Sequence, residues 1–260
     1  MASQCRGRVI FRSRKRRSDS DDAVPVVPSP EPVRRAMPDD NELTIRLPAG
    51  AQGQQEFAQA LGETVAHIVA TQLGAGTRGF AVCGASSGAG ASFVAANLAL
   101  AISHLGLSTL LIDADLHGAS QERYFATLRP PMGLQQVLRG EVDNIDKTTF
   151  FEVAPLLSVL HAGGSCEDAN EMIGGRPFQD IVHRAMRSYD CTILDTPPAN
   201  RSSDARRVAA IAGRAIVVAR HRVSYLDDMA LVAKQLRQDQ VEVVGAVLNA
   251  VEGQIRAIRR

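Results

Sequence analysis

Apolar residues recur along the chain with two periods, and their alternation predicts an α/β domain. The first period is that of a helix, which we expect over about residues 54–73 from the spacing of Phe57, Leu61, Val65 and Ile68. Beyond that helix, short runs that are almost wholly apolar alternate with amphipathic stretches. Apolar strands between helices indicate a parallel sheet that helices cover on both faces, and no internal repeat is present.

The predicted elements follow one another regularly after this first helix. The strands are GFAVCG, STLLIDAD, LLSVLHAGG, CTILDTPPA, RAIVVARH and VEVVGAVLNA. The helices between them are SFVAANLALAISHLG, GLQQVLRG, PFQDIVHRAMRSY, SDARRVAAIA and YLDDMALVAKQLRQ. The fold class that follows is α/β, with a doubly wound, mostly parallel sheet. Ligands of such sheets bind at the carboxyl ends of the strands, so we expect the chemistry there.

The first residues have a different composition and predict a disordered arm over residues 1–47, followed by one domain over residues 48–260. Residues 6–17 carry seven cations, and an acidic patch and the Pro-rich stretch AVPVVPSPEPVRRAMPDD follow them. Such a segment cannot build a core. The basic run over residues 6–17 would attract an anionic membrane face. A solvated arm without a fixed partner is the alternative, and both interpretations stay open.

Composition excludes several classes of protein. A hydrophobic content of 45% supports a core, and no apolar run is long enough to span a bilayer. The first residues lack the apolar segment of a signal peptide, so we expect a cytoplasmic protein. The four cysteines stand singly and predict neither a structural metal nor a redox motif. A net charge of +1 gives no reason to expect a nucleic acid partner.

The stretch VCGASSGAGASFVAANLA, which begins at Val82, has the form of a phosphate loop between a strand and a helix. Glycines let backbone N–H groups converge on phosphate oxygens, and the helix N-terminus adds its dipole. A glycine-rich turn alone is a weak signal, because tight turns need glycine anyway. The residues predicted to contact a nucleotide here are Ser87, Gly88, Ala89, Gly90, Ala91, Ser92 and Phe93.

Two apolar strands end in aspartates that belong with this loop. LLIDADLH ends in Asp113 and Asp115, and CTILDTPP ends in Asp195. Carboxylates at strand ends beside a phosphate loop are where Mg²⁺ and an attacking group are held. Each aspartate alone could equally be a helix cap or a turn residue. The order of the three segments favours a site, in which Asp113, Asp115 and Asp195 are the predicted catalytic residues.

On these segments the chain resembles the bacterial tyrosine kinase family of capsule and exopolysaccharide assembly, within the MinD/ParA class of deviant Walker ATPases. LLIDADLHGASQERYF looks like the family's second Walker motif, and YDCTILDTPPANRSSDA like its Walker B strand. LHAGGSCEDANEMIGGRPFQDIV is similar to the linking segment, with Glu171 at its acidic position, and VGAVLNAV to the closing strand.

The resemblance covers about residues 54–251. It implies a P-loop NTPase fold, in which Asn249 faces the nucleotide base. It also implies ATP or ADP with Mg²⁺, and the Mg²⁺ ligands would be Ser92, Asp113 and Asp195.

The departures from the family pattern concern charge. By resemblance, Ala91 stands at the Walker lysine position, Ser86 at the second, signature lysine position, and His117 at a frequent arginine position. The chain has 26 arginines and three lysines, and a bias against lysine predicts arginine at position 91, not alanine. One charge-assisted hydrogen bond contributes roughly 1.5–3 kcal/mol, so nucleotide binding should be weakened and catalysis more so.

Two further family features are missing. Active members carry a tyrosine-rich tail, whereas this sequence ends in EGQIRAIRR. Its three tyrosines, Tyr124, Tyr189 and Tyr225, lie in predicted core elements. The oligomerisation motif Glu-x-x-Arg-x-x-Arg corresponds to Glu56, Gln59 and Gly62, without either arginine. Ring assembly is therefore in doubt, although a homo-oligomer stays open.

We interpret the chain as a degenerate polysaccharide-assembly tyrosine kinase. It would act as the cytosolic partner of an inner-membrane polysaccharide co-polymerase, peripheral to that membrane. Two alternatives stay open. One is a residual ATPase or autokinase in which another cation replaces the loop lysine. The other is a MinD-like pseudo-ATPase that positions a secretion or pilus machine.

Overall fold

A computed structural model describes residues 51–125, 132–142 and 148–249. The arm predicted for residues 1–47, including the basic run, lies outside these residues. The domain boundaries drawn from the sequence therefore stay predictions.

The described residues form helices and strands close to the predicted positions. The helices are α1 Ala51–Ile68, α2 Ala91–His104, α3 Leu134–Leu138, α4 Ala169–Gly174, α5 Arg176–Ser188, α6 Asp204–Ala212 and α7 Leu226–Gln238. The strands are β1 Gly79–Gly84, β2 Thr109–Asp113, β3 Phe150–Ala154, β4 Leu157–Leu160, β5 Cys191–Asp195, β6 Arg214–Arg220 and β7 Glu242–Asn249. A π-helical turn, Val69–Leu73, continues α1, and a 3₁₀ turn, Gln121–Arg123, follows β2.

The strands form one sheet in the order β3-β4-β2-β5-β1-β6-β7. All neighbouring strands in it run parallel except β3 and β4, which are antiparallel. The predicted doubly wound, mostly parallel sheet is confirmed. The central position of β1 places the loop that follows it between the ends of β5 and β6.

Helices cover both faces of the sheet, as the apolar strands require. Phe80 and Val82 of β1 pack on the face covered by α1 and α2, together with Val65 and Ile68 of α1. The alternate residues of β1 pack on the other face, against Phe178 of α5 and its neighbours in α6 and α7. Both faces of each central strand are therefore buried, which explains why these strands contain few polar residues.

Two short elements were not predicted from the sequence. Strand β3 pairs with β4 alone at the edge of the sheet, through a tight connection in which Leu156 has a φ of 61°. Helix α4 has six residues. Each has a glutamate among its apolar residues, Glu152 in β3 and Glu171 in α4, so neither shows a continuous apolar run or a clear period.

One prediction about the tyrosines was wrong. Tyr225 directly precedes α7, in the connection from β6, and is 76% exposed. Tyr124 and Tyr189 are partly buried. Within the described ranges, no helix has both the length and the apolar character needed to cross a bilayer.

Candidate functional site

The predicted site residues converge at the carboxyl edge of the sheet. The loop over residues 85–90, called here the phosphate loop, follows β1. Asp113 and Asp195 end β2 and β5 and lie opposite each other in the parallel ladder. Asn249 ends β7 at the same edge. The structure therefore brings together residues that are as many as 160 positions apart along the chain.

The phosphate loop depends on two glycines with left-handed backbone. Gly88 has a φ of 78° and Gly90 a φ of 86°, conformations that residues with a Cβ rarely adopt. A Cβ at Gly90 would also collide with the Asn249 amide. Gly90 precedes α2, and its carbonyl accepts the N–H of Val94. The loop thus leads directly into a helix N-terminus, the arrangement that suits a phosphate group.

Side chains from the ends of β6 and β7 hold this loop. The Asn249 amide donates to the Ala89 carbonyl at 3.1 Å. The hydroxyls of Ser86 and Ser224 are 2.7 Å apart. Arg220 donates from Nη1 to the Gly88 carbonyl at 3.5 Å. Sequence reasoning missed Arg220, because nothing local distinguishes it from the other arginines.

The loop carries no lysine. Ala91 is the first residue of α2 and is largely buried. Lys234 is the one lysine in the described part of the chain, and it lies exposed in α7. Arg220 is therefore the cation that the described contacts bring to the loop.

Asp113 is buried and accepts backbone N–H groups with both oxygens. Its Oδ2 accepts from Ser120 and Gln121, at 2.9 Å each, and its Oδ1 accepts from Asp115 at 3.2 Å. Burial raises the pKa of Asp113, and these backbone hydrogen bonds offset part of the rise. The carboxylate is thus held firmly by the turn that follows its own strand.

Asp195 is equally buried but less well satisfied. Its Oδ2 accepts from the Gln121 side-chain amide at 2.7 Å and from the Ser120 hydroxyl at 3.3 Å. Its Oδ1 has no hydrogen-bond partner within the described residues. Burial raises the pKa of Asp195, the charge of Asp113 adds to the rise, and side-chain hydrogen bonds from Gln121 and Ser92 offset part of it. We call Asp113, Asp195, Ser120 and Gln121 the carboxylate site.

Asp115 has the contacts of a turn residue. Its Oδ1 accepts the N–H groups of His117 at 3.1 Å and Gly118 at 2.9 Å, which is the pattern of an Asx-turn. It is nearly buried. The structural alternative left open for this aspartate therefore has direct contacts to support it, and its catalytic role stays a prediction.

The donor set suits Mg²⁺ in one respect. Within the described ranges, no group of three or more His, Cys, Asp or Glu side chains is placed to bind a metal ion. Mg²⁺, however, usually takes one or two carboxylates and completes its shell with waters and phosphate oxygens. The Asp195 Oδ1 without a donor and the Ser92 hydroxyl are hard oxygen ligands of this kind. The Ser92 hydroxyl is joined to that of Ser120 at 2.7 Å.

His117, which the resemblance places at a frequent arginine position, pairs with a buried aspartate. Its Nε2 lies 2.8 Å from Asp204 Oδ2, and Arg207 lies 3.4 Å from the other oxygen. The Asn170 amide, with its nitrogen turned toward Asp204, donates to both oxygens. Asn170, Arg207 and the predicted Glu171 line a groove of about 860 Å³. This network joins the turn after β2 to α4 and α6, and the sequence did not predict it.

Phe93 has aromatic neighbours. Its ring centroid lies 5.5 Å from that of Phe57 in α1 and 6.2 Å from that of Tyr124. These contacts attach α1 to the start of α2. Its predicted nucleotide contact stays a prediction.

Comparisons with known proteins agree with this geometry. Residues 80–260 match the family described as the CobQ/CobB/MinD/ParA nucleotide binding domain. The putative tyrosine-protein kinase EpsB of Ralstonia nicotianae (strain ATCC BAA-1114 / GMI1000) is 34% identical over 169 residues, which are 65% of this chain and 22% of that protein. The chain thus spans about a quarter of the length of the curated relatives it matches.

Solved structures share the fold. The BceF tyrosine kinase domain superposes with a TM-score of 0.67 at 25% identity, over 75% of this chain and 77% of that one. The septum site-determining protein MinD of Pyrococcus horikoshii, complexed with Mg-ADP, superposes with a TM-score of 0.56 at 20% identity, over 66% of this chain and 69% of that one. The second likeness bears on the fold alone.

Proposed function

Because the chain belongs to the CobQ/CobB/MinD/ParA nucleotide-binding domain family, we propose that it binds ATP or ADP at the phosphate loop without turning it over efficiently. The nucleotide's phosphates would lie at the N-terminus of α2, with Asn249 at the base. Mg²⁺ would be shared between the phosphates and Ser92, Asp113 and Asp195. The chain would be a degenerate relative of the polysaccharide tyrosine kinases that it resembles.

The observation that supports this proposal is that the site has its acidic residues but no lysine at the loop. The acidic residues of the site are in place and buried, whereas the loop position of the lysine is Ala91. A positive charge on the phosphates lowers the barrier to phosphoryl transfer, because it offsets charge that develops in the transition state. Loss of that charge weakens binding moderately and catalysis severely.

The test is a titration of the full chain with ATP by calorimetry, with and without Mg²⁺, beside a measurement of phosphate release. The control variant is Gly90→Arg, which places a side chain where the backbone is left-handed and the Asn249 amide is in the way. We expect binding that the control lacks, and phosphate release no faster than in the control. Release well above the control contradicts the proposal.

As a binding protein, the chain would act as the cytosolic partner of an inner-membrane polysaccharide co-polymerase. The linking segment and the Asp-Thr-Pro-Pro sequence support this choice over the partition ATPases. Binding to the cytosolic segment of such a co-polymerase in a pull-down tests it. Recovery of a secretion or pilus component instead favours the MinD-like alternative.

The predicted arm would strengthen this association at the membrane. Seven cations contribute at most roughly 1 kcal/mol each near an anionic surface, and ordering the arm reduces the sum. Deleting residues 1–20 should weaken pelleting with anionic liposomes at low salt, and leave binding to the partner segment unchanged. Equal pelleting of both proteins would show that the arm is only solvated.

Tyr225 offers a direct test for kinase activity. It is exposed, so a neighbouring molecule could reach it. We expect no phosphotyrosine after incubation with Mg-ATP, as judged by mass spectrometry of the purified chain. Substantial modification of Tyr225 would contradict the proposal of a degenerate kinase.

Arg220 favours a second candidate function, a residual ATPase. Its guanidinium donates to the phosphate loop and has further N–H groups for a phosphate. Arg220→Gln should then abolish any turnover above the Gly90→Arg level. Arg222→Gln is the matched control, because Arg222 lies exposed in the same connection and makes no described contact with the loop.

A further inference from the structure

The turn after β2 contacts every residue predicted to bind Mg²⁺. The N–H groups of Ser120 and Gln121 donate to Asp113 Oδ2. The Ser120 hydroxyl donates to Ser92 Oγ at 2.7 Å. The Gln121 amide donates to the Ser92 carbonyl at 3.1 Å and to Asp195 Oδ2 at 2.7 Å. One turn therefore fixes side chains from two strands and a helix.

The burial of Gln121 makes its contacts in this turn rigid. Its side chain is 0% exposed, so water does not compete for its amide N–H groups. Both of these N–H groups have acceptors, one on Asp195 and one on the backbone of α2. The orientation of the amide is therefore determined, and its carbonyl oxygen has to face away from both acceptors.

The two oxygens of the Asp195 carboxylate differ in their hydrogen bonds. Oδ2 accepts from the Gln121 amide at 2.7 Å and lies 3.3 Å from the Ser120 hydroxyl, whereas the buried Oδ1 has no hydrogen-bond partner at normal distance within the described residues. The Gln121 Oε1 is likewise buried without a partner there. Buried acceptors without donors are rare and costly, and a bound ion is one of the usual reasons for them. Both unpaired oxygens belong to the same hydrogen-bonded pair.

We infer that Gln121 and Ser120 are positioning residues of a divalent-cation site, and that they hold Asp195 by Oδ2 so that Oδ1 faces the cation. Carboxylates that bind metals are commonly oriented by hydrogen bonds of this kind. The surrounding oxygens suit Mg²⁺ or Mn²⁺. The inference rests on the proposed function in that Mg²⁺ would accompany the nucleotide, but a metal ion alone is enough to test it.

Gln121→Leu removes the amide and keeps a similar volume. We expect Mn²⁺ to bind the full-length variant about tenfold to a hundredfold more weakly than the unchanged chain, the usual loss when such a partner is removed. The electron paramagnetic resonance signal of free Mn²⁺ measures the affinity directly. Unchanged binding overturns the inference. Tighter binding overturns it too, because it would mean that the amide competes with the cation for Oδ2.

Gln135→Leu is the matched control for loss of a buried glutamine. Gln135 is also buried, but its amide donates to the Gly163 carbonyl and to none of the site residues. We expect the Mn²⁺ affinity of this variant to stay within about twofold of the unchanged chain, because Gln135 contacts none of the site residues and substitutions that do not contact a site change its energetics little. An equal loss in both variants overturns the inference, because the effect would then be a general one.

Ser120 provides a rescue experiment. Ser120→Ala removes the hydroxyl that contacts Ser92 and Asp195, and Ser120→Thr retains a hydroxyl. We expect weaker Mn²⁺ binding in the first variant and recovery in the second. Equal affinities in the two variants overturn the role of the hydroxyl.

Hydrogen exchange of the Gln121 side-chain amide tests the unchanged chain, should the variants fail to fold. We expect the exchange to stay slow when Mg²⁺ is added, because the amide keeps Oδ2 while the cation takes Oδ1. Faster exchange on addition of Mg²⁺, or no saturable binding of Mn²⁺ to the unchanged chain, overturns the inference. Nucleotide binding is measured separately, so a failure here does not decide the proposed function.

Discussion

The phosphate loop and the carboxylate site lie side by side at the same edge of the sheet and differ in how they are built. The loop is a backbone structure, shaped by Gly88 and Gly90 and tied by side chains from distant strands. The carboxylate site is made of buried side chains, with Asp113 and Asp195 held by the turn after β2. The loop over residues 85–90 contains no charged residue, whereas the carboxylate site contains two aspartates.

This difference indicates which ligand each region can bind. A backbone cradle keeps its shape without its lysine, because its N–H groups do not depend on that side chain. Two buried carboxylates without a cation repel each other and pay for desolvation. We therefore expect the loop to receive a phosphate, and the carboxylate site to destabilise the free protein unless a proton or a cation offsets its charge.

The largest effect is expected from restoring the charge to the loop. Ala91→Lys should tighten ATP binding about tenfold to a hundredfold, because a charge-assisted hydrogen bond contributes roughly 1.5–3 kcal/mol. Calorimetry in the presence of Mg²⁺ measures it. Ala66→Lys is the matched control, since Ala66 is exposed in α1 and is not among the residues predicted to contact the nucleotide. Unchanged affinity in Ala91→Lys would mean that the loop does not form a cradle for phosphate.

A smaller effect of the opposite kind is expected at the carboxylate site. Asp195→Asn should raise the free energy of unfolding of the free protein by about 1–3 kcal/mol, because it removes a carboxyl group that on folding must either bury its charge or take up a proton. Urea unfolding at neutral pH measures this change. A lower stability would mean that the structure satisfies the charge in the free protein.

Asp239→Asn is the matched control for this substitution. Asp239 is partly exposed and accepts from Arg206 at 2.6 and 2.7 Å, so the same change breaks an ion pair. It should lower the free energy of unfolding by about 0–1 kcal/mol. The two aspartates should therefore respond with opposite signs.

The smallest effect is the pH dependence of the difference between Asp195→Asn and the unchanged chain. Burial raises the pKa of Asp195 above its ordinary 3.8, so protonated Asp195 stabilises the fold at low pH and that contribution is lost as pH rises. The advantage of Asp195→Asn should thus be larger at about pH 8 than at about pH 5, because only the unchanged chain has this proton to lose.

Carboxylates outside the carboxylate site do not disturb this measurement, whereas Asp113 interacts with Asp195 and contributes to the difference. Hydrogen bonds from Arg139 and Arg206 lower the pKa of Asp168 and Asp239, which gives those groups the opposite pH dependence. Both proteins contain them, so they cancel in the difference. An advantage that does not change with pH would show that Asp195 carries no proton over this range.

Most of the fold could be predicted from local patterns. The strands predicted around Val82, Ile112 and Leu194 all formed, because a buried parallel strand is a continuous apolar run. Strand β3 was missed because Glu152 interrupts its apolar run. Tyr225 was misplaced, since its neighbours Leu226 and Val223 are apolar but exposed.

The sequence by itself determined the order of the elements, the edge of the sheet at which the site lies, and the absence of a lysine at position 91. These follow from period, from topology and from residue identity, all of which are local properties or rules for parallel sheets. They were enough to place the phosphate loop beside Asp113 and Asp195.

Only the tertiary structure decided which side chains meet at that edge. Gln121 and Asp195 are 74 residues apart, and His117 and Asp204 are 87 apart. Whether such residues form hydrogen bonds depends on strand register and on the direction of each side chain, to within a fraction of an ångström. Periodicity carries no information at that scale, so Gln121, Arg220 and the partner of His117 appeared only once the chain was folded.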